Sequence, residues 1–312
     1  MNPVRLGAVI VTFEPDRNWP ARLAAVRAEN LPTIVVDNST AAVTRQWVRA
    51  AALAQGAGYL ENPDNPGIGR ALNQGFAALA SSGADWALAF DQDSTPAAGL
   101  SAALLATAEG GANPSIAAVG SNWTDAATGG LPSRHLVRHP HLPFFYQRLP
   151  ATEDLTRVLC VINSGTLFSL RVWRELGGFD ETLFLDLVDS DYSLRALATG
   201  HELRLAAGAR LVHARGNKQP VRFLGGTFRP AFMPAARLFV LYRNRLWLFK
   251  KHRLRPLAWT AYECVYALKV LADVLFLETG KPAKLGACLR GTLHGLFSPA
   301  PRSPGRNDKA RT

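Results

Sequence analysis

Cysteine is scarce in this chain. Three residues, Cys160, Cys264 and Cys288, lie far apart among 312. An odd number at such spacing supplies neither a disulfide framework nor a zinc-ligand set. It fits a reducing cytosol, where single cysteines are mostly small buried apolar residues. Long apolar runs are missing too. The first, Ala8–Phe13, is strand-length and follows no cationic leader of the signal-peptide kind. The longest attempt, Pro256–Thr279, is interrupted by Glu263, Lys269, Asp273 and Glu278, so it does not read as a membrane span. No internal repeat is visible, which argues against a repeat array. Acidic residues thin out past position 228: residues 229–312 carry 16 Lys/Arg against four Asp/Glu, whereas 1–228 carry 19 against 20. A neutral body with a strongly basic tail calls for an anionic partner.

What is present is a large apolar fraction, 48% of the residues, enough for a sizeable core. The first half alternates strand-like and helix-like segments. Leu6–Thr12, Thr33–Val36, Gly58–Leu60, Asp85–Phe90 and Ile116–Gly120 read as strands. Ala21–Glu29, Val43–Ala54, Ile68–Ser81 and Leu100–Glu109 read as the helices between them. Such alternation predicts an α/β fold with a parallel sheet covered by helices on both faces. In these sheets ligands lie beyond the C-terminal strand ends, which here carry Thr12, Asp37 and Asp91–Asp93. Residues 125–156, rich in Pro, His, Arg and Gly, read as loops over the site, with His135, His139 and His141 on the surface. Val158–Ile162, Thr166–Ser169, Glu202–Leu205 and Ala209–His213 read as later strands, and Ser190–Thr199 as a helix. From about Pro234 the chain turns helical, basic and aromatic, and residues 298–312 read as a disordered tail.

Two acidic clusters stand out. Asp91-Gln92-Asp93 follows the apolar run Trp86–Phe90. Acids two apart on a strand share a face, and like charges that close call for a cation. Oxygen ligands suit Mg²⁺ or Mn²⁺, although Asp-x-Asp is equally a solvated turn leading into a cap. The second cluster is Asp186, Asp189 and Asp191. Asp191 sits inside the start of a helix, with Arg195 one turn on as a partner, and Asp189 fits its N-cap. Capping accounts for one or two of these acids. A carboxylate beside Leu187 and Val188 also has the raised proton affinity that a general base needs. Asp37 and Asp64 are turn acids that could accept hydrogen bonds from a base or ribose. His213, at a strand end, is a candidate third metal ligand. The glycines of Pro66–Gly75 have the wrong spacing for a dinucleotide fingerprint and follow the third strand, which excludes a Rossmann dehydrogenase.

In order, these motifs resemble the inverting family 2 glycosyltransferases, most closely the rhamnosyltransferase branch. The series runs through Val9–Phe13, Val35–Ser39, Asn65–Gly75, Ala89–Ser94, Ile162–Thr166, Gly177–Phe184, Val188–Arg195, His213–Gly216 and Tyr242–Asn244. The resemblance implies a GT-A fold in residues 1–228, with a nucleotide-binding half to about 120 and an acceptor half after it. It implies that Thr12, Asp37 and Asp64 hold the nucleoside and that Asp91 meets the ribose or diphosphate. Asp93 and His213 would ligate Mg²⁺ or Mn²⁺, and Asp189 would be the catalytic base. Two departures stand out. Val188 occupies a position that is Glu in many relatives, and Arg215 lies in the His-x-x-Gly segment, where it could meet diphosphate. The implied reaction is rhamnosyl transfer from a dTDP-rhamnose-like nucleotide-sugar donor, or transfer from another donor such as UDP-galactofuranose, onto a lipid-linked glycan acceptor. The rival of another class is an inactive glycan- or membrane-binding scaffold.

The basic region 229–297 supports a cytoplasmic protein held peripherally on the inner face of the cell membrane. On a helical wheel Leu257, Ala261, Cys264, Leu268, Leu271 and Leu275 share one face, with Glu263, Lys269 and Asp273 opposite. That pattern suits either a membrane surface or packing on the core. Lys250, Lys251, Arg253 and Arg255 form the expected electrostatic contact. No recognisable nucleic-acid motif accompanies the charge, so nucleic acid is not an expected partner.

Overall fold

A computed structural model describes residues 5–110, 115–125, 133–139, 141, 146–214 and 219–302. Its centre is an eight-stranded sheet. The strands, in chain order, are β1 (Leu6–Thr12), β2 (Thr33–Asp37), β3 (Gly58–Glu61), β4 (Trp86–Asp91), β5 (Ser94–Pro96), β6 (Ile116–Asp125), β9 (Thr166–Ser169) and β10 (Glu202–His213). Their spatial order is β3-β2-β1-β4-β9-β6-β10-β5. β1 pairs in parallel with β2 and β4, so Thr12, Asp37 and Asp91 finish at one edge. The antiparallel β9 fits between β4 and β6.

β1 is apolar at consecutive positions because both of its faces are covered. Val9 and Val11 join one core layer with Phe76, Phe168, Phe179 and Tyr192. Ala8 and Ile10 join the other with Leu23, Val48, Leu88 and Leu104. Helices α1 (Trp19–Arg27), α2 (Ala42–Ala54) and α4 (Leu100–Glu109) supply the second layer. α3 (Ile68–Ser81), α5 (Leu170–Glu175) and α6 (Val188–Ala198) supply the first.

The expected bounds of β1, α3 and α4 hold, and other readings need correction. The region expected to be loops contains a hairpin, β7 (Arg134–Arg138) and β8 (Tyr146–Pro150). His135 is therefore buried rather than on the surface, bonded to Ser133 at 2.7 Å. Val158–Ile162 is not a strand: Val158 makes only an isolated bridge to Val137. The two late strands are one, β10, with an irregular register between Ala206 and Arg210. α6 starts two residues earlier than expected, at Val188, and its cap is Leu187 rather than Asp189. Of the tail expected to be disordered, 303–312 lies outside the described residues.

The C-terminal region forms a short hairpin, β11 (Val221–Phe223) with β12 (Gly226–Phe228), then α7 (Ala235–Lys251), α8 (Leu257–Phe276) and α9 (Lys281–Phe297). α7 and α9 approach closely because Gly291 and Gly295 face α7. A Cβ at Gly291 would meet the Phe239 carbonyl oxygen at 2.4 Å. The α8 wheel resolves in an unexpected sense. Its buried residues are Trp259, Glu263, Val270 and Val274. Glu263 turns inward to pair with the buried Arg245 at 3.0 Å. Leu257 and Leu268, on the face read as apolar, are 73% and 67% exposed. One buried ion pair thus points a carboxylate inward and leaves leucines in solvent.

The basic cluster is also not a free surface. Lys250 donates to the carbonyls of Leu296 and Ser298. The Lys251 side chain is 4% exposed and pairs with Asp180 and Asp191. Asp191, fully buried, also meets Arg195 at 2.8 Å and His252 at 2.9 Å. Burial alone would raise the Asp191 carboxyl, but the His252 hydrogen bond and the charges of Arg195 and Lys251 hold it below the usual range. Its stabilising contribution is therefore complete above an unfolded-state value of about 4 and is lost as pH falls below that. Asp191→Asn leaves buried cations uncompensated and should cost about 3–5 kcal/mol in denaturant unfolding at neutral pH. A cost below about 1 kcal/mol would contradict this account of the cluster.

Candidate active site

The acidic centre forms where β4 ends. Asp91 is its last residue, and Asp93 lies in the turn to β5 rather than on the strand, so the same-face argument does not apply. The turn still brings the two acids together. β5 returns antiparallel on β10 with Ser94 opposite His213, which delivers the imidazole to Asp93. One ligand atom each from Asp91, Asp93 and His213 lie within 4.8 Å of one another. His213 Nδ1 is 3.2 Å from Asp93 Oδ1, and Nε2 is 3.9 Å from Asp91 Oδ2. Ser94 Oγ lies 2.8 Å from His213 Nδ1 and 2.6 Å from Ser164 Oγ, and Ser164 accepts the Asp91 backbone N–H at 3.0 Å. The Asn163-Ser164-Gly165 motif thereby supports the acids from beneath.

Burial, with the Asp93 and Asp189 carboxylates nearby, pushes Asp91 up to about 6 against the pull of His213 and Arg237. Asp93 Oδ1 is buried and has no hydrogen-bond partner. Two carboxylates and an imidazole, one oxygen orphaned and one acid displaced toward its neutral form, fit a hard divalent cation such as Mg²⁺ or Mn²⁺.

Two cavities meet at this centre. The larger, about 930 Å³, is lined by Thr12, Phe13, Asn38, Asn65, Asp91 and Asp93. The smaller, about 330 Å³, contains Asp189 together with Arg134, Arg148, Trp259, Tyr262 and Tyr266. Asp91, His213, Arg237 and Tyr266 line both. Asp189 is the second residue of α6 and accepts the Ser190 N–H at 2.7 Å. Three of the four residues that lead into α6 have positive φ: Phe184, Asp186 and Leu187, at 62°, 55° and 65°. Asn244 of α7, fully buried, holds that stretch by donating to the carbonyls of Leu183, Leu185 and Asp186.

The other expected nucleoside contacts sit differently. Thr12 lines the larger cavity. Asp37 lies beneath it, fully buried, and accepts from Thr12 Oγ1, Ser39 N and Tyr59 OH, so its oxygens are taken up by the protein itself. Asp64 stays exposed in the turn after β3 and lines neither cavity, because that turn presents Asn65 instead. Arg215 lies outside the described residues. Reading the sequence overlooked Asn38, Asn65, Gln92 and Arg237. Gln92 sat between the two acids in plain view, and its Oε1 accepts the Phe13 N–H at 2.7 Å.

No family model matches the chain. Solved structures share its fold. A mannosyltransferase from Pyrobaculum calidifontis in complex with GDP-Man and Mn²⁺ superposes at a TM-score of 0.56, with 15% identity, 94% of this chain and 87% of that one covered. S. aureus TarS 1-349 superposes at 0.53, with 9% identity, 94% and 81% covered. The fold is that of the GT-A glycosyltransferases. The dTDP-rhamnosyl transferase RfbF of Shigella flexneri is 26% identical over 292 residues, covering 93% of this chain and 94% of the relative.

Asp93→Ala should abolish the strengthening of nucleotide binding by Mn²⁺ without lowering the unfolding midpoint appreciably, since losing its contact with His213 is offset by relief of the like charge of Asp91. Titration calorimetry with and without EDTA reads this. Metal-enhanced binding that survives the substitution would place the ion elsewhere.

Proposed function

We propose that the chain is an inverting rhamnosyltransferase that moves L-rhamnose from a dTDP-rhamnose-like donor to a hydroxyl of a lipid-linked glycan. The reading is carried by the meeting of two cavities at one acidic centre, with Asp189 in the smaller. The larger cavity takes the nucleotide, with Thr12, Asn38 and Asn65 at the nucleoside end and Asp91 toward the diphosphate. The similarity to a dTDP-rhamnosyl transferase supports the donor. Asp93 and His213, with Asp91, would hold Mg²⁺ or Mn²⁺, which when bound offsets the negative charge of the diphosphate. In the smaller cavity Asp189 accepts the proton of the attacking hydroxyl. Tyr262 and Tyr266 offer apolar rings to a sugar face. Residues 1–228 carry most of this chemistry, and 229–297 wall the site from the C-terminal side.

Asp189→Asn removes the base with little change in volume, so kcat should fall by roughly 10²-fold or more with donor affinity near wild type. Near-normal kcat at saturating donor and acceptor would mean that another group takes the proton. A panel of nucleotide-sugars, scored by shift of the unfolding midpoint with Mn²⁺, should give dTDP-rhamnose the largest shift. A larger shift with UDP-galactofuranose would transfer the donor assignment to that sugar.

The acceptor's lipid suggests a place for the enzyme: the cytoplasmic face of the membrane. No helix among the described residues is long and apolar enough to cross a membrane. α8 and α9 instead carry exposed Leu257, Val265, Leu268, Leu289 and Phe297, with Arg253, Arg255 and Arg290 also exposed. Apolar side chains beside cations suit an anionic bilayer surface. Reversing Arg253 and Arg255 to Glu, with the buried Lys251 left intact, should weaken binding to anionic vesicles about tenfold or more. Unchanged sedimentation with those vesicles would remove the electrostatic part of the proposal.

A further inference from the structure

We propose that Arg237 binds the donor diphosphate and stabilises the charge that gathers on it as the sugar departs; the inference rests on the donor reading above. Arg237 stands in the first turn of α7 and lines both cavities. It is close enough to Asp91 for each charge to act on the other. Asp186 accepts from its Nε at 3.0 Å and its Nη2 at 2.8 Å. Among the described residues these are its hydrogen bonds, so Nη1 and the second Nη2 hydrogen remain for a ligand. A guanidinium gripped along one edge keeps the other edge as a planar fork, the geometry that meets phosphate oxygens in pairs.

Charge balance argues for the same role. Asp91, Asp93 and Asp189 already crowd the centre, and a diphosphate adds further negative charge. Arg229 and Lys269 also line the larger cavity, but Asp273 engages Lys269 at 2.5 Å, and neither reaches the smaller cavity as Arg237 does. Arg237 also has a rigid mount. Its partner Asp186 belongs to the left-handed stretch that Asn244 fastens, and Asn244 lies two turns further along the same helix. α7 therefore fixes both the arginine and the carboxylate that aims it, so little reorganisation is needed when charge develops.

In the step itself, the bond from the anomeric carbon to the β-phosphate oxygen breaks and its electron pair stays on that oxygen. The acceptor oxygen forms the new bond, and its proton passes to Asp189. Arg237 exchanges no proton and supplies hydrogen bonds to the leaving diphosphate.

The test compares full-length wild type, Arg237→Ala and Arg237→Lys for binding of dTDP, UDP and GDP, and of the matching nucleosides, with Mn²⁺ present. Calorimetry reads the diphosphates and ligand-observed NMR reads the nucleosides. For the preferred base, Arg237→Ala should weaken the diphosphate by about 10- to 100-fold, the scale of a charge-assisted hydrogen bond, and leave the nucleoside unchanged. Arg237→Lys should recover part of the loss, because it keeps the charge without the fork. Undiminished diphosphate binding in Arg237→Ala overturns the inference. Equal losses for nucleoside and diphosphate also overturn it, because the residue would then be structural. A wild-type protein that binds none of the three diphosphates defeats the donor reading itself, and this inference with it.

Discussion

The Asp191 carboxylate, buried among Arg195, Lys251 and His252, is the contact on which the rest of the site depends. It joins the start of α6 to the end of α7, where Lys251 lies 60 positions after Asp191 in the chain. Arg195 carries the connection onward by donating to the carbonyls of Leu176 and Gly178. Lys251 carries it to Asp180. Three segments that approach the active centre are thus tied to one buried charge. Its neighbour Asp189, two residues earlier, has the opposite fate and faces a cavity. On a helix, positions two apart point in different directions. A single turn of α6 therefore buries one acid in an ion-pair cluster and turns another toward a cavity.

A second set of contacts explains why two distant motifs accompany each other. Asn73 of α3 accepts from Phe179 N and Trp173 Nε1, and donates to Phe179 O and Glu181 Oε1. Ile68 N donates to the Phe184 carbonyl at 2.8 Å. Gly67, at φ 92°, is needed at this junction, since a Cβ there would meet the Phe184 carbonyl oxygen at 2.4 Å. The glycine-rich segment 65–75, which has the wrong spacing for a dinucleotide site, is a docking face for residues 177–184. Gly67 and Gly69 admit the backbone of Phe184 and Asp180 from another part of the same chain.

Much of this was legible in the residues, for a definite reason. A parallel sheet buried on both faces leaves a nearly continuous apolar run, and β1 and β4 carry that signature in local composition. The convergence of Asp91, Asp93 and His213 followed from their places at strand ends. The missed elements depend on partners remote in sequence. β5 is three residues long and exists because β10 pairs with it. The β7–β8 hairpin was hidden by its Pro and Arg content. The α8 wheel misled because it weighed Glu263 as a solvent-facing residue, and only Arg245, 18 positions earlier, supplies a reason to bury it. Asp37 ends a strand as expected, but its hydrogen bonds from Thr12 and Tyr59 lie within the protein, which a strand-end position does not reveal. The motif Tyr242–Asn244 was visible from the start, yet its purpose appears only when Asn244 is seen holding three carbonyls of the loop before α6.

These contacts bear on how Asp91, Asp93 and Asp189 can coexist at one centre. Burial, with the Asp93 and Asp189 carboxylates adding to it, displaces Asp91 to about 6. A site that needs them ionised must surround them with compensating charge. β10 contributes His213 from within the sheet, and α7 contributes Arg237 from the C-terminal helices. The helical region is joined to the sheet through buried ion pairs and through Asn244, so its position relative to the acids is set by contacts that are costly to break. Arg237 therefore acts from a fixed wall, with no lid needed to bring it in. By the same logic the exposed apolar side chains of α8 and α9 belong to a rigid part of the site, and a surface that received them would hold the smaller cavity in a constant orientation.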